Sequence, residues 1–195
     1  MSVSQVVSVR QAGGELDALL DELGAVTEEA RRVFGGLSAA QLNWKPSAER
    51  WSVGQCFEHL VKTNESFLPA LEVVNGGEYR GTLWQRVSPL SGFFGRLVLR
   101  GLASGRKAKA SAAISPSSSG VGADIIERFA AHQAVFAKLI GASRAEELKR
   151  TVVTSPIVGF VTYSLFDACR IAVAHERRHF EQARHVTETE GFPST

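Results

Sequence analysis

"AHERRHFEQARHV", residues 174–186, carries two histidines four residues apart, His175 and His179, with Glu176 directly after the first. On an α-helix that spacing stacks both imidazoles on one face about a turn apart, so they can converge on a single ion. At about 100° per residue, Leu165, Cys169, Ala172, Val173, Phe180 and Ala183 form the buried face of a helix running from about Tyr163 to Glu188. The two histidines lie along the edge of that face, while Arg177 and Arg178 point to solvent. Glu176 points near its middle. A carboxylate placed there needs a partner, and a cation or a metal-bound water would serve.

The pattern H-E-x-x-H is also the signature of zinc proteases, in which the glutamate activates water. That reading needs a third ligand downstream. His185 stands at the metzincin spacing, but Gln182 occupies the place of the glycine that turns the chain back. With the helix continuing through "FEQARHV", His185 points away from His179, and no sheet is evident to support a substrate cleft. The third ligand then comes from another helix, and His59 and His132 are the candidates. His132 lies in the apolar stripe of a helix over about 123–140, between Phe129 and Phe136. His59 borders the apolar face of a helix opening at "WSVGQ", residues 51–55, with Gln55, Thr63 and Ser66 along its polar side. There Ser52 is a natural N-cap, Gln55 completes a capping box and Trp51 takes the staple position. The residues alone do not choose between the two histidines.

The rest of the chain reads as helices joined by punctuated loops. A first helix spans about 14–34, with Leu16, Leu19, Leu20, Leu23 and Val26 at core spacing. The helix opening at Ser52 continues to "NGG" at 75–77, kinked by Pro69. Only "VSQVVSV" near the start and "TVVTSPIVGF" at 151–160 have strand character. Residues 76–122 are irregular. Within them Leu90, Phe93, Phe94, Leu97 and Val98 mark a short amphipathic helix, and "ASGRKAKASAAISPSSSGVG" reads as a mobile connection. The fold class expected is all-α: one domain over 1–195, a four-helix bundle with a long crossover between helices 2 and 3.

Bulk composition narrows the function. Of 195 residues, 44% are hydrophobic and 22% charged, with a net charge of +2, which suits a globular core and gives no electrostatic case for nucleic acid. Cys56 and Cys169 form no CxxC pair, which fits a reducing compartment better than a disulfide framework. The opening residues lack a basic start followed by a long apolar core. The most apolar stretch, "PLSGFFGRLVLRGLA", is interrupted by Arg96 and Arg100. The expectation is a cytoplasmic protein without a membrane partner.

"LNWKPSAERWSVGQCFEHL" at 42–60, followed far downstream by "AHERRHFEQ" at 174–182, resembles the DinB/YfiT-like superfamily. The resemblance implies a four-helix bundle holding a divalent metal through one histidine of the second helix and an HxxxH pair of the fourth. Carried over by position, those ligands are His59, His175 and His179, and His132 and His185 return to structural or surface roles. Three neutral imidazoles leave positions open for water or substrate, the mark of a catalytic site, and suit zinc, nickel or iron. Glu176, Gln182 and Gln55 are candidates for orienting a ligand or relaying a proton. Members of the superfamily include transferases that use low-molecular-weight thiols, which implies a thiol and a small-molecule electrophile as partners. A homodimer is compatible with the resemblance. The rivals are a metal-dependent hydrolase and a non-catalytic metal- or small-molecule-binding stress protein.

Overall fold

In the computed structural model, residues 3–77, 79, 91–103, 114–117, 120–155 and 161–194 are described, and they are mostly helical with one small hairpin. The helices are α1 (Val3–Phe34), α2 (Ala39–Asn43), α3 (Val53–Glu65), α4 (Leu68–Asn75), α5 (Ser91–Ala103), α6 (Ile125–Ala142), α7 (Ala145–Arg150) and α8 (Leu165–Thr187). Between α7 and α8, β1 (Val152–Thr154) pairs antiparallel with β2 (Thr162–Ser164), Val153 opposite Tyr163. The all-α expectation holds.

Local chemistry sets the helix ends. The Ser52 hydroxyl accepts the Gln55 backbone N–H and the Gln55 side chain accepts the Ser52 N–H, so α3 starts on a complete capping box. Ser38 and Gln41 do the same for α2, which the sequence reading did not anticipate. Ser164 caps α8 by accepting the Asp167 N–H.

Four expectations need correction. The stretch "VSQVVSV" is helical, because a lone extended segment with no neighbouring strand leaves its backbone groups unpaired, whereas a helix pairs them internally. The second helix does not kink at Pro69 but divides into α3 and α4. In a continuous helix the Pro69 ring would meet the Glu65 carbonyl, and in the first turn of α4 its missing N–H costs nothing. The amphipathic helix forms as α5 and Val98 packs on the core as expected, but Leu97 is 52% exposed, and Gly95 comes so close to α8 that a Cβ there would lie 2.7 Å from Asp167 Oδ2. Leu90 and the Phe93 side chain lie outside the described residues, as do 104–113. Of the connection expected to be mobile, residues 114–117 lie docked on α3.

Helices α1, α3, α6 and α8 form a closed ring of neighbours, α1 and α3 each packing on both α6 and α8. Their inward faces, with α4, make two apolar clusters. One gathers Leu19, Leu23, Phe67, Leu71, Phe136, Ile140, Cys169 and Val173, the other Val26, Phe34, Phe57, Leu60, Phe129 and Phe180. Helices α1, α6 and α8 pass from one cluster to the other, α4 continues α3 into the first, and at the changeover α3, α6 and α8 carry the buried polar residues Asn64, Gln133 and Glu176. In the second cluster Phe57 sits edge-on to Phe34 at 5.3 Å and to Phe129 at 5.1 Å, joining α3 to α1 and α6. Phe57→Ala is expected to cost about 3–5 kcal/mol of stability, the range for emptying a buried aromatic site. Chemical denaturation checks it, with the midpoint falling and the slope unchanged.

Candidate metal centre

Two helices bring three histidines together. The Ser52 cap fixes the start of α3, and His59 lies two turns inside it, 2% exposed. His175 and His179 lie on α8, each 8% exposed. The His175 Nε2 stands 3.2 Å from His59 Nε2 and 3.0 Å from His179 Nε2. The three candidate ligand atoms all lie within 4.8 Å of one another. Trp51 walls the group: its indole is stacked on His179 at 5.5 Å and tilted against His59 at 4.9 Å.

The arrangement suits a cation better than a proton. Burial, then the neighbouring His59 and Arg178 charges, hold His175 down to about 3. Burial first, then His175, His59 and Arg178, hold His179 down to about 2. His59 is also lowered, mainly by burial. The rings are therefore neutral at physiological pH, the form that binds metal. The Ile114 carbonyl, 2.5 Å from His59 Nδ1, accepts that nitrogen's proton, which turns the lone pair of Nε2 toward the other two rings. One ring nitrogen holds either a proton or a lone pair, so His175 Nε2 cannot make ordinary linear hydrogen bonds to both neighbours at once. Nitrogens bound at about 2.0–2.1 Å to a tetrahedral ion stand roughly 3.3 Å apart, close to the spacing found here. The donor set fits a divalent ion.

The other candidates separate. Both oxygens of Glu176 are taken by amides, Oε1 accepting from Asn64 Nδ2 at 2.6 Å and Oε2 from Gln133 Nε2 at 2.9 Å. Its partner is thus a pair of carboxamides, where a cation or a bound water was expected. Gln55 is occupied by the α3 cap and by the Ser117 carbonyl, to which its Nε2 donates at 2.7 Å. Gln182, three residues beyond His179, is half-buried and draws the His179 pKa slightly upward. His132 is outside the group, half-buried against Phe136, with neither ring nitrogen hydrogen-bonded. His185 is exposed on the uninterrupted α8, which removes the third ligand of a metzincin. Sequence reasoning missed Trp51 and Ile114 as neighbours of the histidines. In the sequence the first, Trp51, reads only as a helix staple. The second is a backbone contact that no residue type announces.

Chain and geometry together define an all-α protein with three buried histidines able to hold a divalent metal. The chain belongs to the DinB superfamily, whose sequence model matches residues 22–183. No curated protein and no solved structure matches it. None of the helices among the described residues is long and apolar enough to cross a membrane.

These groups give the metal-free protein a defined response to acid. Below the ordinary value of 6.5, unfolded chains protonate His175 and His179, whereas the folded state resists until about 3 and about 2, so stability falls as pH drops through that window. Glu176 opposes this: burial raises its pKa from 4.5 to about 7, so between those values the folded state alone takes its proton and gains stability on acidification. Two histidines against one carboxylate leave a net loss. Metal-free protein is expected to melt at a lower temperature at pH 5 than at pH 8. Glu176→Gln, which removes the opposing contribution, makes the drop steeper.

Proposed function

We propose that this chain is a divalent-metal-dependent enzyme of the DinB superfamily, built as a four-helix bundle of α1, α3 with α4, α6 and α8. His59, His175 and His179 hold the ion, and the reaction is transfer of a low-molecular-weight thiol to a small electrophile. The convergence of three buried, neutral Nε2 atoms carries the reading. Three protein donors leave part of the coordination sphere for an exogenous ligand, as catalytic sites do. A divalent ion held there supplies Lewis acidity, lowering the pKa of a bound thiol or water into the neutral range.

The chain's own residues support the thiol reading in three ways. Burial pushes the Cys56 and Cys169 thiols up to about 12, so neither offers a thiolate at neutral pH and the nucleophile enters from outside. Trp51, half-buried beside His59 and His179, gives the entering group an apolar wall that limits competition from water. With Glu176 held by Asn64 and Gln133, no carboxylate of the H-E-x-x-H pattern is left to activate water, which disfavours protease-like hydrolysis. Gln182, at the edge of the group, is the side chain assigned to orient the ligand.

Purified wild-type protein is expected to carry close to one equivalent of divalent metal by elemental analysis, and His59→Ala to lose most of it. Full metal content in His59→Ala would remove that residue from the ligand set. With monobromobimane as electrophile, conjugation should depend on both added thiol and metal. Turnover without thiol would assign the site to hydrolysis instead.

A further inference from the structure

Four side chains on one stripe of α3, Gln55, Glu58, His59 and Lys62, all reach the same short segment, residues 114–117. Their spacing of i, i+3, i+4 and i+7 puts them on a single helical face. Gln55 Nε2 donates to the Ser117 carbonyl at 2.7 Å, and Lys62 Nζ to the Ser115 carbonyl at 3.3 Å. Glu58 accepts twice from Ser117, from the backbone N–H and from the hydroxyl, each at 2.6 Å. The Ile114 side chain is buried at 4% exposure, and its carbonyl is the acceptor for His59 Nδ1.

We propose that residues 114–117 form a clip whose docking positions His59 for metal binding, with Glu58 and Ser117 as positioning residues. This rests on the three-histidine reading and deepens it. His59 is the only one of the three whose Nδ1 has a hydrogen-bond partner; those of His175 and His179 are buried without one. The Ile114 carbonyl thus selects the tautomer in which His59 Nε2 has a free lone pair, as hydrogen bonds behind metal-bound histidines do elsewhere. That carbonyl belongs to no strand or α-helix, so its position is set by burial of the Ile114 side chain and by the hydrogen bonds α3 makes to the clip. Coupling of this kind is reciprocal: a docked clip tightens metal binding, and bound metal holds the clip down by the same factor.

The test uses full-length protein, zinc affinity by competition with a chromophoric chelator, and hydrogen exchange at the Ser117 amide with and without zinc. Glu58→Ala, which removes both Ser117 contacts, should weaken zinc binding about 10-fold or more, within the range for losing a group that supports a ligand. Glu58→Gln, able to accept one of the two bonds, should fall between it and wild type. Ser117→Ala leaves every charge in place and should still weaken binding several-fold, which separates positioning from simple loss of a negative charge. Zinc should slow Ser117 exchange in wild type. Unchanged affinity in both Glu58→Ala and Ser117→Ala, or exchange indifferent to zinc, overturns the clip. If Glu58→Ala does not fold, Ser117→Ala and the exchange measurement decide alone. Wild-type protein that binds no zinc overturns the metal reading and this one with it, whereas tight wild-type binding unmoved by these variants overturns the clip only.

Discussion

A carboxylate with no solvent exposure is the constraint on which the interior turns. Glu176 lies at the changeover between two apolar clusters, and burying it without partners would cost several kcal/mol. The cost falls only where Asn64 of α3 and Gln133 of α6 both present their amide N–H groups to it. Apolar side chains tolerate sliding and repacking; a carboxylate between two amides does not. This polar layer therefore ties α3, α6 and α8 to one register, as a single buried polar residue does in a coiled coil. The arrangement is not free of cost, since Asn64 Oδ1 is left buried without a partner.

The same register assembles the histidines. His175 directly precedes Glu176, His179 follows a turn later, and His59 stands five residues before Asn64 on α3. Once the polar layer has set α8 against α3, the two ligand-bearing faces have little freedom left. Trp51 and the segment 114–117 then close around them from outside the helices. A site carried on packed helices is held more closely than one on loops, which a metal with strict ligand distances requires.

Much of this was legible because it is local. The HxxxH pair, the Ser52–Gln55 cap and the apolar stripes of α3, α6 and α8 follow from spacing and side-chain chemistry within a turn or two. What could not be read depends on partners distant in sequence. Glu176 was visibly misplaced for a charged residue, but nothing local says that its partners are Asn64 and Gln133 rather than an ion. Gln55 is visible as a cap, while its second bond, to Ser117, joins residues 62 apart in the chain. The choice of His59 over His132 rests on family resemblance, because both lie on amphipathic helices and only the tertiary packing decides that α3, and not α6, lies directly against α8. In α5 the apolar spacing places Leu97 inward, yet it is exposed while Gly95, where a Cβ would collide with Asp167, is buried against α8, a close approach that periodicity does not announce.

Charge balance links the site to the proposed chemistry. Three neutral imidazoles do nothing to cancel the charge of a divalent ion, and the rings are too buried for water to screen it well. The nearby carboxylates are already engaged, Glu176 by its two amides and Glu58 by Ser117 and Lys62, whose hydrogen bonds hold it below the ordinary carboxylate range despite its partial burial. A bound ion here thus gains most from an exogenous ligand that becomes an anion on binding. A thiol does so more readily than water, its ordinary pKa of about 8.5 lying some seven units below the 15.7 of bulk water. On the proposed reading, a site of neutral donors beside committed carboxylates favours thiolate over hydroxide before any substrate is chosen.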